Sequence, residues 1–394
     1  MITDNQTNKI YFSPYLKNEC PKLWSSIHAA LSERNIRHGL LKYPNYIWAR
    51  DYMPIQIDEH NFVTYRFDPD YLRNNSRYKK YLACDGYLIC SEMGYGMTGM
   101  DLVMDGGNVV KCGDTIVMTE KIFAENKDKS RAEIEKILHE KLKCDILFLP
   151  WDRDEMYGHS DGIVHFAGNG RILMTNYEDF DPKLAKEMEK RLAKKFDVIH
   201  LHYKSRRKHQ RSWAYINFLQ TERLIMVPQL GTEEDEQAME QISGVFPECE
   251  TIGIPALEAV RKGGALNCIS WNVKDNGVLP VSLERILPDV MNLFAHLGDS
   301  ILSNKTLDPL RRFLNDRRIL PKRDEIIAMM NYLSEKQNKL EHVSTELKFG
   351  SGLSEEESQQ WEYYQKWQLV QSVLPRFVDY LKECLIDVPF EFVK

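Results

Sequence analysis

The 394-residue chain repeats one order of elements, and this repeat limits the folds that it can adopt. The clearest copy begins with a predicted hairpin at 159–175, which turns at Gly168-Asn169-Gly170. A predicted amphipathic helix follows at 183–195, and a short strand is predicted at 198–202. The repeating element of this chain is therefore predicted to be a hairpin followed by a helix and a strand.

Further copies can be placed along the chain by their hairpins. The predicted hairpins of these copies are 47–67, 101–119, 212–228 and 263–273. The last hairpin has no helix or strand of this kind after it, so we expect residues 22–32 and 37–41 to supply them. The sequence therefore predicts an α/β protein of five similar units, closed into a ring by the start of the chain.

Each predicted unit has a reactive or polar residue near the start of its hairpin. These residues follow one another at intervals of 54, 54, 58 and 51 positions, and they are Asp51, Asp105, His159, Asn217 and Cys268. If equivalent positions of a ring face its axis, all five side chains meet in one central pocket. The regular spacing therefore predicts a single functional site built from distant parts of the chain.

Composition narrows the functions that we expect. A net charge of -6 and a pI near 6.0 give no general attraction to nucleic acid or to an anionic membrane. We interpret the basic run at 204–211 as a solvated connection between repeats. No run of 18 apolar residues occurs, and the polar start of the chain does not resemble a signal peptide. The eight cysteines form no CxxC pair, so we expect reduced thiols in a cytoplasmic protein, with no metal ion or cofactor.

Five stretches of the sequence resemble the family of agmatine deiminases and bacterial, Porphyromonas-type peptidylarginine deiminases. The stretches are Trp48-Ala49-Arg50-Asp51-Tyr52-Met53-Pro54, Asp105-Gly106-Gly107-Asn108, His159-Ser160-Asp161-Gly162, Tyr215-Ile216-Asn217-Phe218 with Val227-Pro228-Gln229, and Gly263-Gly264-Ala265-Leu266-Asn267-Cys268. They occur in the family's order within roughly residues 10 to 275. The resemblance implies the pentein fold, in which five ββαβ units surround a central pocket.

The resemblance also implies a reaction, the hydrolysis of a guanidino group to a ureido group with release of ammonia. It gives Cys268 the role of the nucleophile that forms a thiouronium intermediate. His159 would protonate the departing ammonia and then deprotonate the hydrolytic water. Asp105 would orient the imidazole and favour its charged form.

The remaining implied roles concern binding of the planar, cationic guanidinium. Asp51 and Asp161 would hold it by charge-assisted hydrogen bonds. His159 and Asp161 stand two positions apart and would share one face if they lay on a strand. Trp48 would offer an aromatic face to the cation, and Asn217 would line the pocket.

This chain departs from the family pattern at two places. Many members have glutamate where this chain has Asp105, a change that keeps the carboxylate. Many members also have a longer glycine run and a histidine before the cysteine, where this chain has Ala265 and Asn267. The second departure bears on substrate preference and on rate.

The choice of substrate rests on the segment after the first hairpin. Peptide-processing members clasp a terminal carboxylate there with arginines, and Arg66, Arg73 and Arg77 fall in this region. Asp68 and Asp70 lie among them and would repel a carboxylate if they faced the pocket. We therefore expect agmatine, or a related small guanidine, and keep peptidyl-arginine as the alternative.

Two other functions remain open at the level of sequence. A metal-dependent hydrolase could use a cluster of acidic residues and histidines, namely Asp101, Asp105, His159, Asp161 and His165. A non-catalytic module could instead bind guanidines without turning them over. The first alternative leaves Cys268 unexplained, and the second leaves the complete set of reactive residues unexplained.

The character of the chain changes after residue 276. Helical spacing of apolar residues predicts helices at 281–302, 307–314, 324–340 and 355–385. We therefore expect a pentein domain at 1–276 and an all-helical C-terminal extension at 277–394. The extension could form a homo-oligomer, cover the pocket or bind a partner.

Overall fold

A computed structural model describes residues 1–275, apart from positions 42, 43, 45, 60, 94 and 205–210, and beyond them 305–315 with positions 325, 328, 329, 331 and 332. Contacts divide the chain into two units, Met1–Asp275 and Asn276–Lys394. All of the predicted site residues lie in Met1–Asp275. The basic run at 204–211 lies mostly outside the described residues, and the independence of the two predicted domains stays a prediction.

The strands of the described residues are short and numerous. In chain order they are β1 (Lys9–Phe12), β2 (Arg37–Leu40), β3 (Ile55–Gln56), β4 (Asn61–Arg66), β5 (Gly96–Val103), β6 (Val110–Cys112), β7 (Thr115–Thr119), β8 (Asp145–Leu149), β9 (Val164–Gly168), β10 (Arg171–Met174), β11 (Asp197–His200), β12 (Leu219–Gln220), β13 (Leu224–Gln229), β14 (Glu250–Pro255) and β15 (Ser270–Val273).

These strands form five separate three-stranded sheets of one design. The sheets have the orders β3-β4-β5, β6-β7-β8, β9-β10-β11, β12-β13-β14 and β15-β1-β2. In every sheet the central strand is antiparallel to the first strand and parallel to the third. A parallel neighbour requires a crossover, which explains why helical segments separate the second and third strands. The predicted pentein fold of five ββαβ units is confirmed.

Helices supply the crossovers and several short turns. Their bounds are Leu16–Glu19, Pro21–Glu33, Ala49–Tyr52, Asp70–Arg73, Gly86–Glu92, Lys121–Glu125, Arg131–Leu142, Pro182–Leu192, Glu234–Val245, Leu257–Val260 and Asp308–Asn315. The crossover helix Arg131–Leu142 shows why they form. A capping box between Ser130 and Glu133 satisfies its first backbone donors, and Ile134, Leu138 and Leu142 bury one face.

The fifth ββαβ unit combines both ends of the segment Met1–Asp275. β15 pairs antiparallel with β1, and β1 pairs parallel with β2 after the helix Pro21–Glu33. The predicted helix at 22–32 and strand at 37–41 are therefore in place. The predicted hairpin at 263–273 is wrong, since it supplies one strand and Lys9–Phe12 supplies the other.

The hairpin predicted at 101–119 also needs correction. Residues 101–103 belong to β5, the parallel third strand of the preceding unit. The hairpin of the second unit is β6 and β7, and it turns at Gly113, whose φ of 76° suits glycine. Two consecutive apolar runs, each of period two, look alike in sequence although they belong to different sheets.

Consecutive units touch one another around the ring. The turns that carry Asp51 and Asp105 pack together, as do those that carry Asp105 and His159. Asn217 Nδ2 donates to the backbone oxygen of Asp161 at 3.2 Å, so the third and fourth units are hydrogen-bonded. Backbone bonds join the fourth unit to the fifth and the fifth to the first, the latter from Arg50 N to Cys268 O at 3.1 Å. Contacts thus join each unit to the next, which closes the ring.

The C-terminal extension is described only in part. Of its predicted helices, the one at 307–314 coincides with the helix Asp308–Asn315. The predicted helices at 281–302 and 355–385 lie outside the described residues, and most of 324–340 does too. None of the helices within the described residues has the length and apolar character needed to cross a membrane.

Candidate active site

The five polar positions of the repeat occupy the same place in their units, at a short helical turn before the first strand. Asp51 lies within the helix Ala49–Tyr52, and the other positions flank 3₁₀ turns or the turn before β15. Such a turn directs a side chain toward the ring axis just before the chain enters its sheet. The structure therefore brings together residues that are at least 50 positions apart in the sequence.

His159 and Asp161 share the site for a different reason from the one expected. His159 has an extended backbone, and Asp161 lies in the 3₁₀ turn Ser160–Gly162. The expectation that both side chains lie on one face of a strand is wrong, because the first strand of this unit begins only at Val164. The turn still leaves both side chains against the same cavity.

Two carboxylates flank the imidazole of His159. Its Nε2 lies 2.9 Å from Asp105 Oδ2, and its Nδ1 lies 3.8 Å from Asp51 Oδ1. Gly107 makes room for this arrangement, since a Cβ there would come within 2.5 Å of His159 Nδ1 and 2.8 Å of Asp51 Oδ1. The glycine of the Asp-Gly-Gly motif thus permits the close approach of acid and imidazole.

The charges of these buried groups are strongly perturbed. Burial opposes the charged imidazolium of His159, but Asp51 and Asp105 outweigh it and raise its pKa to about 9. Burial raises the pKa of Asp51 to about 8, with repulsion from Asp105 and Asp161 adding to the shift. The buried carboxylates thus favour the charged imidazolium of His159, while burial and the neighbouring acids disfavour the charged form of Asp51 until a cation binds.

Cys268 stands beside the other predicted guanidinium ligand. Its thiol donates to Asp161 Oδ2 at 3.5 Å, and the side chain is 9% exposed. Burial, followed by the negative charges of Asp161 and Asp51, raises the pKa of the Cys268 thiol well above its usual range. At neutral pH this thiol is therefore protonated, and a cation held between the carboxylates would favour its ionisation.

Asn217 organises the loop that presents Cys268. Its Oδ1 accepts from the backbone N–H groups of Ala265 and Cys268, both at 3.2 Å. Its Nδ2 donates to the backbone of Asp161. Asn217 borders the cavity, but its amide is engaged with backbone, so its role as a substrate ligand stays a prediction.

Trp48 packs against the glycines that precede the nucleophile. A Cβ at Gly264 would lie 2.4 Å from the Trp48 ring, so only glycine allows this contact. Gly263, with a φ of 105°, adopts a backbone that favours glycine, and it approaches the hydroxyl of Tyr157. The indole thus shapes the nucleophile loop, and its stacking on a bound cation stays a prediction.

A cavity of about 440 Å³ opens next to these groups, which is the size of a small-molecule site. His159, Asp161 and Cys268 line it on one side. Asp152, Asp154 and Glu155 line it from the loop that follows β8. The lining residues within the described part of the chain include no lysine or arginine, so the cavity has a negative character.

The acidic segment expected to face the pocket lies elsewhere. Asp68 pairs with Arg73 at 3.3 Å, and Asp70 pairs with Lys121 at 3.2 Å. Neither aspartate borders the cavity of about 440 Å³. The expectation that Asp68 and Asp70 face the pocket and repel a carboxylate there is therefore wrong, because local ion pairs neutralise both aspartates.

The residues of the metal interpretation are not gathered into one cluster. Asp101 is largely exposed and pairs with Arg66 and Lys129. His165 Nε2 instead lies 2.8 Å from Gln220 Oε1, in a buried contact. Among the residues that the structure describes, no group of three His, Cys, Asp or Glu side chains is placed to hold a metal ion.

Two residues of the site were not predicted from the sequence. In the sequence, Arg50 is only part of the first family stretch, and Asn267 is only a departure from the family pattern. The structure links them, since Arg50 Nη2 donates to Asn267 Oδ1 at 2.8 Å and Asn267 Nδ2 donates to Asp161 Oδ2 at 2.8 Å. Their proximity in sequence to Asp51 and Cys268 was the available signal.

Comparisons with known proteins agree with this fold. The model of the Porphyromonas-type peptidyl-arginine deiminase family matches residues 25–273. A curated Vibrio parahaemolyticus protein named "Putative agmatine deiminase" is 25% identical in an alignment 272 residues long, which covers 58% of this chain and 76% of that protein. The structure of Enterococcus faecalis agmatine deiminase is 20% identical, with a TM-score of 0.56 over 68% of this chain and 94% of that one.

A C. jejuni agmatine deiminase has a similar fold, with 18% identity and a TM-score of 0.56 over 69% of this chain and 94% of that one. At these identities the solved structures show the fold alone. Fold and site together define a hydrolase that acts on the C–N bonds of guanidino groups. The chain belongs to the Porphyromonas-type peptidyl-arginine deiminase family, and it is a guanidino-group deiminase.

Proposed function

We propose that this deiminase converts agmatine, or a closely related small guanidine with a cationic tail, to its ureido product through a covalent adduct on Cys268. The observation that carries the proposal is the convergence of Cys268, Asp161 and the His159–Asp105 pair on one acidic cavity. The net reaction consumes one water and one guanidinium and releases the ureido compound and ammonium.

Substrate binding would prepare the nucleophile. A guanidinium placed between Asp51 and Asp161 would replace the repulsion among these acids with attraction, and Asp51 would lose its proton. The same positive charge would offset the negative surroundings that keep the Cys268 thiol protonated. Ionisation of the thiol would therefore accompany binding, so the free protein would not carry a reactive thiolate.

The chemical steps then need one acid and one base. The Cys268 sulfur forms a bond to the guanidino carbon, and the C–N bond to ammonia breaks as His159 gives its proton to the leaving nitrogen. The neutral imidazole next takes a proton from water as the water oxygen bonds to the same carbon. The C–S bond then breaks and the thiolate leaves, while the hydroxyl of the intermediate loses its proton to give the ureido product. The released ammonia takes up this proton and leaves as ammonium. A His159 pKa of about 9 suits the first of these transfers at neutral pH.

The negative cavity supports a substrate with a positive tail. The carboxylates of Asp152, Asp154 and Glu155 border the cavity beyond the reacting groups. Arg153, from the same loop, stacks on Trp151 with 3.9 Å to the ring centroid. The ammonium group of agmatine would be attracted to such a wall, whereas the terminal carboxylate of a peptide would meet like charge.

Rates of ureido formation on agmatine, free arginine and an arginine-terminated peptide would test the substrate, with butylguanidine as a match for agmatine without its ammonium. We expect kcat/KM to be highest for agmatine. Asp154→Asn should raise KM for agmatine and leave that for butylguanidine unchanged, while Asp128→Asn on the remote surface should change neither. A higher kcat/KM for the peptide would contradict the substrate and favour peptidyl-arginine.

Cytoplasmic location, homo-oligomerisation through the C-terminal helices and the lack of nucleic-acid binding stay predictions. A small-molecule substrate accords with a solved C. jejuni agmatine deiminase, which is described with substrate bound. Size-exclusion chromatography with light scattering on the full chain would measure the oligomeric state.

A further inference from the structure

A chain of hydrogen bonds between buried polar side chains connects Arg50 to the nucleophile Cys268. Arg50 Nη2 donates to Asn267 Oδ1 at 2.8 Å, and Asn267 Nδ2 donates to Asp161 Oδ2 at 2.8 Å. The same carboxylate oxygen accepts the thiol of Cys268 at 3.5 Å. The same Nη2 of Arg50 also lies 3.7 Å from Asp4 Oδ2.

The chemistry of the two ends determines which way the amide of Asn267 points. A guanidinium is only a donor, and a carboxylate is only an acceptor, so the amide must turn its oxygen to Arg50 and its nitrogen to Asp161. A short side chain with one acceptor and one donor fits this gap. An aspartate in its place could accept from Arg50 but would repel Asp161.

Resting on the proposed function, we propose that Asn267 is a positioning residue. Arg50 fixes its amide, and the amide orients the Asp161 carboxylate beside Cys268. Oδ2 of Asp161 is then engaged by the protein, and Oδ1 is the atom that meets the substrate guanidinium. The histidine that many family members carry before the cysteine is absent here, and Asn267 is the side chain that this chain places between Arg50 and Asp161.

The test compares Asn267→Asp with Asn126→Asp in the full-length protein. Asn126 is buried, and both ends of its amide bond the backbone of Val103. Asn267→Asp should lower kcat/KM for agmatine roughly 10- to 100-fold, the range for losing a hydrogen bond to a charged group. Asn126→Asp should lower kcat/KM less, because the amide of Asn126 bonds backbone groups.

Alkylation of Cys268 by iodoacetamide provides a readout that needs no substrate turnover. Peptide mapping at one fixed alkaline pH should show slower alkylation of Cys268 in Asn267→Asp than in the unaltered protein, because a further negative charge near the thiol disfavours the thiolate. Asn267→Ala should also slow the alkylation, because Asp161 loses a donor and its charge then acts more fully on the thiol. Asn267→Ala introduces no buried charge, so it provides the test if Asn267→Asp does not fold.

Unchanged alkylation rates of Cys268 in both Asn267 variants would overturn the positioning role, whatever the loss of activity. Equally slow alkylation in Asn126→Asp would also overturn it, since the effect would then follow from any buried carboxylate. Failure of the unaltered protein to turn over any guanidine would count against the proposed function instead, and the alkylation comparison would still decide the role of Asn267.

Discussion

Replacing Asp105 with asparagine should change the pH dependence of the reaction more than its rate at neutral pH. The side chain keeps its size, but the negative charge 2.9 Å from His159 Nε2 is lost. A hydrogen bond to a charged group contributes about 1.5–3 kcal/mol, and one pKa unit corresponds to about 1.4 kcal/mol. The pKa of His159, about 9 in the unaltered site, should therefore fall by about 1–2 units in Asp105→Asn.

The direction of the change in activity follows from the role proposed for His159. The imidazole must be protonated to release ammonia, so activity is present below its pKa and lost as pH rises through it. The alkaline limb of kcat/KM should lie near pH 9 in the unaltered protein. In Asp105→Asn it should move to about pH 7–8 by the same arithmetic. Ammonia release from agmatine, measured across this pH range, gives the alkaline limb of the unaltered protein and that of Asp105→Asn.

Stability should report the same shift independently of activity. Because the folded pKa of His159 is raised, its stabilising effect is complete below the unfolded value of about 6.5 and disappears as pH rises through about 9. The difference in free energy of unfolding between the unaltered protein and Asp105→Asn should therefore shrink over this window. Asp145→Asn, which breaks a surface pair with Lys195, is the control and should leave the alkaline limb in place. An alkaline limb that stays near pH 9 in folded Asp105→Asn would refute the reasoning.

Two further perturbations test the packing of the site and the division of the chain. Gly107→Ala should reduce kcat/KM at least 10-fold, because its Cβ would meet His159 Nδ1 and Asp51 Oδ1, whereas Gly99→Ala meets no atom within 4 Å and should remain active. Equal activities of the two variants, measured by ammonia release, would contradict this. A chain ending at residue 276 should remain folded, since the ring closes within Met1–Asp275, and circular dichroism with thermal unfolding would measure it. Aggregation or loss of the unfolding transition would show that the C-terminal residues belong to the core.

The sequence was sufficient to predict the number of units and the convergence of the five polar residues. Both follow from a regular interval and from alternation of apolar residues, which are local properties of the chain. The partner of β15 could not be identified in this way, because Lys9–Phe12 and Ser270–Val273 lie near opposite ends of the segment Met1–Asp275. Strand pairing of this range depends on ring closure, and no local pattern encodes it.

Contacts between side chains were the second feature that could not be predicted from the sequence. Asp68 and Asp70 looked like pocket residues in the sequence, but Arg73 and Lys121 neutralise them in the structure. The acidic wall of the cavity comes instead from the loop 152–155, which has no distinctive motif. Likewise, the bond from Asn267 to Asp161 joins two different units, and only their packing shows it.

The most direct test of the central claim is peptide mapping by mass spectrometry after a rapid quench during turnover of agmatine. The account predicts a mass increase equal to agmatine less ammonia on the peptide that contains Cys268. His159→Ala should accumulate this adduct if attack still occurs, because no base remains to activate water, and Cys268→Ser should not form it and should lose activity by several powers of ten. A haloacetamidine should label Cys268 before the other seven cysteines, and agmatine should protect it. Normal turnover by Cys268→Ser, or an adduct on another residue, would contradict the account.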